Sequence, residues 1–286
     1  MCIICTEKIY KENLSTLLEL NISFCSNLTS EKLQEILIQC KNLIKLDCHY
    51  CTSLTSLDLR SSSEGVTSFG CINLTALYCN FCTSLTSLDL RSNINLTTLE
   101  CSHCTSLTSL DLRNNINLKE VWCYNCTSLT SLDLWSISEG VTPKGCVNLE
   151  RLVCYSCISL TILDLHNNIN LTALWCDNCK SLTSLDLRSN INLTTLECSH
   201  CTSLTSLDLR NNIEIEYNNI QYCKCPWIIQ HKDFSSNLQR LIKLQKWYRC
   251  VLLIKYMKSK QFIEWFYNPN NIGGKCHKLK LLKEFI

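Results

Sequence analysis

Glycine and proline are scarce in this chain, at six and three of 286 residues. That scarcity excludes collagen-like and Pro/Gly-rich disordered sequences, and a hydrophobic content of 46% supplies apolar surface for a sizeable core. Long apolar runs are lacking as well. No segment approaches the roughly 18 apolar residues that a membrane span requires, and Met1 to Lys8 shows neither the apolar stretch nor the small-residue cleavage site of a secretory leader. The expectation is a cytoplasmic protein with reduced thiols. In that setting the Asn-Leu-Thr triplets at Asn27, Asn73, Asn95, Asn170 and Asn192 are by-products of a repeat and not glycan sites.

Cysteine is present in excess, at 24 positions. Charge is uneven: residues 1–230 carry 15 Lys/Arg against 22 Asp/Glu, a net of −7, while residues 231–286 carry 12 against 3, a net of +9. That change of sign marks a boundary between segments.

Self-comparison reveals the organisation. Cys-x-x-Cys pairs stand at Cys48/Cys51, Cys79/Cys82, Cys101/Cys104, Cys123/Cys126, Cys154/Cys157, Cys176/Cys179 and Cys198/Cys201, with first cysteines 31, 22, 22, 31, 22 and 22 residues apart. The 33 residues Ser84 to Ile116 recur unchanged as Ser181 to Ile213, which implies internal copying. Each 22-residue unit divides into two halves of eleven, exemplified by Leu96 to Cys104 and Leu107 to Asn115. Both follow L-x-x-L-x-(L/C)-x-x-(N/C). Apolar residues at positions four and six, with polar ones between, are the alternation of a short strand with one buried face. Such a strand cannot bury that face alone, so the copies must stack into a solenoid.

Over roughly Leu17 to Ile215 these residues resemble the leucine-rich repeat family. The first repeat, with Leu17, Leu20, Ile22, Cys25, the amphipathic stretch Glu31 to Gln39 and Cys40-x-x-Leu43, resembles the cysteine-containing subtype of F-box substrate receptors. The later units resemble the short nested class. The resemblance implies a mostly β, right-handed α/β solenoid of about eight rungs. It places the Cys-x-x-Cys halves on a concave parallel sheet and the Leu-Asp-Leu halves on the convex side. The domain expectation is a short lead over 1–16, the solenoid over 17–215, a cap over 216–230 and a basic helical tail over 231–286. Cys2-x-x-Cys5 hints at a zinc module but has no further ligand before Cys25, and sixteen residues are too few for an F-box.

Seven evenly spaced Cys-x-x-Cys pairs suggest a zinc array, since paired thiolates supply half a tetrahedral site. A structural reading competes with it. The first cysteine of each pair replaces a leucine of the other half (Leu90, Leu112, Leu187). Three residues before the concave halves, Asn93, Asn115, Asn168 and Asn190 alternate with Cys40, Cys71 and Cys146. A metal ligand does not exchange with a carboxamide, whereas a side chain that satisfies the backbone of the neighbouring rung can be either. We therefore expect ladders and no metal or other cofactor, with zinc as the alternative.

Alternation would turn positions three, five and seven outward. On the convex side position five is aspartate in all seven units (Asp58, Asp89, Asp111, Asp133, Asp164, Asp186, Asp208), and position seven is arginine in five, with Trp135 and His166 in the others. That is a self-neutralising solvated surface. The concave side varies instead. Position five runs Asp47, Tyr78, Glu100, Trp122, Val153, Trp175, Glu197, and position seven includes Tyr124 and Tyr155. Outward aromatics are costly to leave wet, so Tyr78, Trp122, Tyr124, Val153, Tyr155 and Trp175 are the expected anchors for a protein partner, with acidic residues as a rim. The basic tail folding back over them is the bland alternative.

In the tail, Leu238 to Lys255 forms a basic amphipathic pattern. Leu244-Gln245 with Arg249 and Lys255 resembles an IQ motif, which implies a calmodulin-like partner, although Cys250 stands where glycine is usual. The net of +9 also permits nucleic-acid contact. Phe262 to Lys278 resembles a C-terminal segment of proteins from mimivirus-like giant DNA viruses, which implies a viral protein of host cytoplasm or virion. No nucleophile, base and orienting acid come together outside the repeat, and His103 and His200 are copies of each other. The expectation is a non-enzymatic scaffold.

Overall fold

The computed structural model describes residues 14–59, 71–136, 144–209, 211–212 and 215. The chain divides into units Met1–Ile229 and Gln230–Ile286. All described residues lie in the first, so the expectations for the lead, cap and basic tail fall outside them.

Three-residue strands recur in the described half-repeats, except that of Leu160 to Asn168. Eight of them, Glu19–Asn21, Lys45–Asp47, Ala76–Tyr78, Thr98–Glu100, Glu120–Trp122, Arg151–Val153, Ala173–Trp175 and Thr195–Glu197, form one sheet in that order. Every neighbouring pair is parallel, and equivalent repeat positions are paired, as in Leu46 with Leu77 and Leu77 with Leu99. The other halves give shorter pairings on the opposite side: Ser56–Asp58 with Ser87–Asp89, Ser109–Asp111 with Ser131–Asp133, and Ser184–Asp186 with Ser206–Asp208. The structure is thus a mostly β solenoid of about eight turns. Its only α-helix among the described residues is Ser30–Leu37 in the first repeat, capped by Thr29, whose Oγ1 accepts from the Lys32 amide at 3.3 Å, and seated through Leu33, Ile36 and Leu37.

Leucine and cysteine fill the space between the two sides. Leu46, Cys48, Cys51 and Leu54 and their repeats in each later rung are almost wholly buried in one continuous core. Within it the thiols act as donors. Cys82 Sγ bonds the Cys48 carbonyl at 3.2 Å, Cys104 that of Cys79 at 3.2 Å, Cys126 that of Cys101 at 3.1 Å, and Cys157 that of Cys123 at 3.1 Å. Cys179 and Cys201 continue the series onto Cys154 and Cys176. Asparagine does the same work at the other corner of the rung. Asn93 Nδ2 bonds the Cys71 carbonyl at 2.7 Å, Asn168 that of Cys146 at 2.7 Å, and Asn190 those of Leu165 and Asn168 at 3.0 and 2.8 Å. Cys146 at the equivalent place donates to the Leu112 carbonyl at 3.2 Å. Thiol and amide are therefore exchanged because each delivers one donor to the previous turn.

Of the described cysteines seventeen are free and buried. Cys25 departs from the expectation of reduced thiols: it is disulfide-bonded. The second long unit carries a short antiparallel pairing, Trp135–Ser136 with Lys144–Gly145, at the base of its extra residues. Gly145 has φ +157°, and a Cβ there would lie 2.5 Å from the Leu134 carbonyl oxygen, so this close approach requires glycine.

Candidate interaction face

The exposed side of the eight-stranded sheet is built from positions three and five of each rung. The middle rungs place Trp122, Val153 and Trp175 side by side, because Val153 pairs with Trp122 on one strand and Trp175 on the other. The two indoles are half-buried, whereas Val153 is buried at 4% exposure. Of the six expected anchors Val153 is therefore the one not presented to solvent; it fills the floor between two larger side chains. Beyond the strand ends, Tyr124 and Tyr155 stack with ring centroids 4.5 Å apart.

Tyr78 stands apart from this group. Register puts Glu100 between it and Trp122. Its ring instead meets His49, at 5.8 Å, and lies under the Lys45 ammonium at 5.6 Å. The face is bordered by carboxylates that have local partners: Asp47 accepts from Asn21 Nδ2 at 3.1 Å and Glu100 from Asn80 Nδ2 at 2.8 Å. Two ion pairs cross position three, Lys45 with Glu19 at 3.8 Å and Arg151 with Glu120 at 2.8 Å. At the far end burial, followed by the charge of Asp177, raises the Glu197 carboxyl above its ordinary range.

Alternation fails beyond position five, and a second aromatic column follows from that failure. Strands are only three residues long, so the chain turns at position six and position eight adopts the left-handed region. Phe24, Tyr50, Phe81, His103, Asn125, Ser156, Asn178 and His200 all have φ between 57° and 62°. This conformation costs a bulky L-residue roughly 1–2 kcal/mol. Their rings are thereby aimed outward and stacked: Phe24 on Tyr50 at 4.8 Å, Tyr50 on Phe81 at 4.4 Å, Phe81 on His103 at 4.0 Å, all within 11° of parallel. Tyr124 continues the column edge-on to His103 at 5.2 Å. Position seven, conversely, is not uniformly outward, since Ser102 is buried. Reading position eight down the repeats shows Phe, Tyr, Phe and His in its first four rungs, which is the signal that would have found this column.

The alternation of short strands with asparagine and cysteine turns settles the architecture. This is a mostly β, parallel-sheet solenoid of short tandem repeats. No family model and no curated protein matches the chain. Solved structures are similar to it at low identity. The functional domain of InlJ from Listeria monocytogenes, which includes a cysteine ladder, is 22% identical with TM-score 0.24, over 71% of this chain and 58% of that one. An internalin, InlF, from the same organism is 18% identical with TM-score 0.26, over 71% and 73% of the two chains. A leucine-rich repeat protein from Bacteroides ovatus is 16% identical with TM-score 0.21, over 71% and 72%. The chain thus spans less than two thirds of the InlJ domain.

Three thiols away from the pairs hold their protons tightly: burial pushes Cys40 up to about 11 and Cys71 and Cys146 to about 12. The first thiols Cys48, Cys79, Cys101, Cys123, Cys154 and Cys176 are raised well above the usual range by hydrogen bonding to the thiol of the neighbouring rung and by burial. Zinc needs thiolates gathered about one centre. Among the described residues no group of three or more His, Cys, Asp or Glu is placed to hold a metal ion. The zinc alternative finds no support among these residues, and the thiol protons of Cys82, Cys104, Cys126, Cys157, Cys179 and Cys201 point along the stack at backbone carbonyls. Nor is any helix among the described residues long and apolar enough to cross a membrane.

Proposed function

We propose that the chain is a non-enzymatic protein-interaction scaffold whose partner docks on the sheet face at Trp122 and Trp175, with Tyr124 and Tyr155 at the strand ends. The observation that carries this reading is the contiguous row Trp122, Val153, Trp175 in the middle rungs, where each indole keeps an open side. Half-buried indoles on a rigid floor lose little side-chain entropy on binding and bury large area, which is what interface anchors do. Glu100 and Glu197 flank the row in register, so the surface favours a partner that is apolar in the middle and basic at its edges. Tyr78 belongs to a neighbouring patch and contributes at the margin.

The test is affinity capture from host cells with wild type and the Trp122→Ala/Trp175→Ala variant, followed by hydrogen-exchange footprinting of each recovered complex. Loss of a captured protein from the double variant, with protection mapped to residues 120–124, 151–155 and 173–175 in the wild type, is the expected result. Equal recovery of every protein from both would remove this face as the binding site.

A further inference from the structure

The side opposite the sheet repeats one device. In three rungs the position-seven arginine folds back on the position-five aspartate: Arg91 on Asp89 at 2.6 Å, Arg113 on Asp111 at 2.7 Å, and Arg188 on Asp186. Position three is serine in six of the seven rungs, Ser56, Ser87, Ser109, Ser131, Ser184 and Ser206. Copies this similar make departures conspicuous, and three of them fall on two adjacent rungs. Trp135 and His166 replace arginine, and Ile162 replaces serine.

Two of these departures, Trp135 and Ile162, line a groove. The groove, of about 510 Å³, is lined as well by Asp133, Asp164, Thr130 and Arg113, among others. That volume is within the range of about 300–1,000 Å³ typical of ligand sites. Its walls are of two kinds. Ile162 is 68% exposed, an apolar surface that no other rung offers at that position. The second wall is acidic. Loss of two arginines leaves Asp133 and Asp164 without the guanidinium that their equivalents hold, and Arg113 is already engaged by Asp111 at 2.7 and 2.8 Å. Asp164 accepts only the His166 backbone amide, at 3.0 Å, among its described contacts. His166 itself meets Ser189 Oγ at 3.2 Å and sits 6.4 Å from the Trp135 ring. Among the described residues three carboxylates, Asp111, Asp133 and Asp164, thus share one guanidinium, leaving two negative charges beside an indole and an isoleucine.

We propose that this groove is a docking site for an arginine side chain of a basic peptide segment in a protein partner. The missing guanidiniums define what would fit. A planar cation can bond Asp133 and Asp164 as the resident arginines bond their own aspartates, and its face can stack on Trp135. Ile162 takes the aliphatic stem. A metal ion would use the carboxylates but not the apolar wall, and an acidic or apolar peptide would leave two charges unpaired. The site lies on the side away from Trp122 and Trp175 and does not depend on the sheet face being an interface.

The repeat itself supplies the test, because Trp135→Arg and Ile162→Ser install residues that the neighbouring rungs already carry, so each variant has a folded precedent. The full chain is titrated calorimetrically with the capped peptide acetyl-Gly-Arg-Gly-Arg-Gly-amide and with the same peptide carrying citrulline in place of arginine, which keeps shape and removes charge. Binding of the arginine peptide, weakened at least about tenfold by citrulline, by Trp135→Arg and by Asp164→Asn, is the expected result. Thermal melts within a few degrees of wild type establish that each variant is folded; Asp164→Asn, isosteric and on the surface, serves if Trp135→Arg melts early. Absence of binding to wild type, equal binding of the citrulline peptide, or binding unchanged in Trp135→Arg and Asp164→Asn would each overturn the assignment.

Discussion

Asn115 reaches back one rung with a single amide nitrogen to two carbonyls, that of Asn93 at 2.9 Å and that of Leu90 at 3.0 Å, while its own Oδ1 accepts no hydrogen bond among the described residues. The position therefore asks for a donor and tolerates, without using, an acceptor. Asn115→Leu keeps the volume and removes the donor, leaving buried carbonyls unpaired; it should cost about 1–3 kcal/mol. Asn115→Cys retains a donor of the kind that Cys146 supplies and should cost less than half as much. Because stacked repeats need not unfold in one step, hydrogen exchange of the Leu90 to Leu118 amides is the measurement, alongside urea titration. Equal destabilisation by both substitutions would show that the position reads volume and not donation.

The thiol ladder predicts a specific alkaline weakness. Cys40, Cys71 and Cys146 hold their protons to about 11, 12 and 12 in the folded chain, against an ordinary 9.0. A proton held more tightly in the folded state contributes stability that is complete below about pH 9 and is lost as pH rises from there towards 12. The melting temperature should accordingly fall steeply across that window. The same protonation makes these sulfurs poor nucleophiles. Iodoacetamide at pH 8 should leave the peptides containing Cys40, Cys71 and Cys146 unmodified in native protein and label them fully in urea, as read by peptide mass spectrometry.

Much of this architecture was legible because the repeat is nearly exact. The exchange of Asn93 and Asn115 for Cys71 and Cys146 at one repeat position announced a backbone-capping ladder, and the alternation in Leu-x-Leu/Cys gave the strands and their buried side. What escaped was whatever depends on strand length. Alternation holds for three residues and then the chain turns, so Ser102 at position seven is buried and Phe81 at position eight is outward. Val153 shows a second limit: its position is outward by period, yet it is buried in register between Trp122 and Trp175, a placement that no single strand reveals. Glu100 similarly separates Tyr78 from the other anchors only once strand order is known.

The ring column sets stacking against backbone strain, and the two can be separated at Phe81. Its ring contacts Tyr50 at 4.4 Å and His103 at 4.0 Å, while its φ of 60° is unfavourable for any residue with a Cβ. Phe81→Ala removes the ring and keeps the strain, so it should destabilise by about 1–3 kcal/mol from two lost stacking contacts of about 0.5–1.5 kcal/mol each. Phe81→Gly removes both and should be less destabilising than alanine by about 1 kcal/mol, despite the greater freedom of unfolded glycine. Guanidinium titration of the two variants decides it; glycine worse than alanine would mean that the turn carries no strain.

The arginine-aspartate pairs of the opposite face should be visible in acid. Hydrogen bonding to Arg188 holds the Asp186 carboxyl down to about 2 from an ordinary 3.8, and Arg188 Nε also lies 3.4 Å from Asp208 on the next rung. A carboxyl depressed on folding contributes stability that is present above pH 4 and is lost as pH falls through about 2. In Arg188→Ala that contribution is gone, so the gap between variant and wild type should be widest above pH 4 and close by pH 2. Both groups are solvent-exposed, so the gap should be small, and raising salt to about 1 M should shrink it further. Melting curves from pH 2 to 6 at two salt concentrations check this, and a gap that persists undiminished at pH 2 would assign the role of Arg188 to packing of its stem and not to its charge.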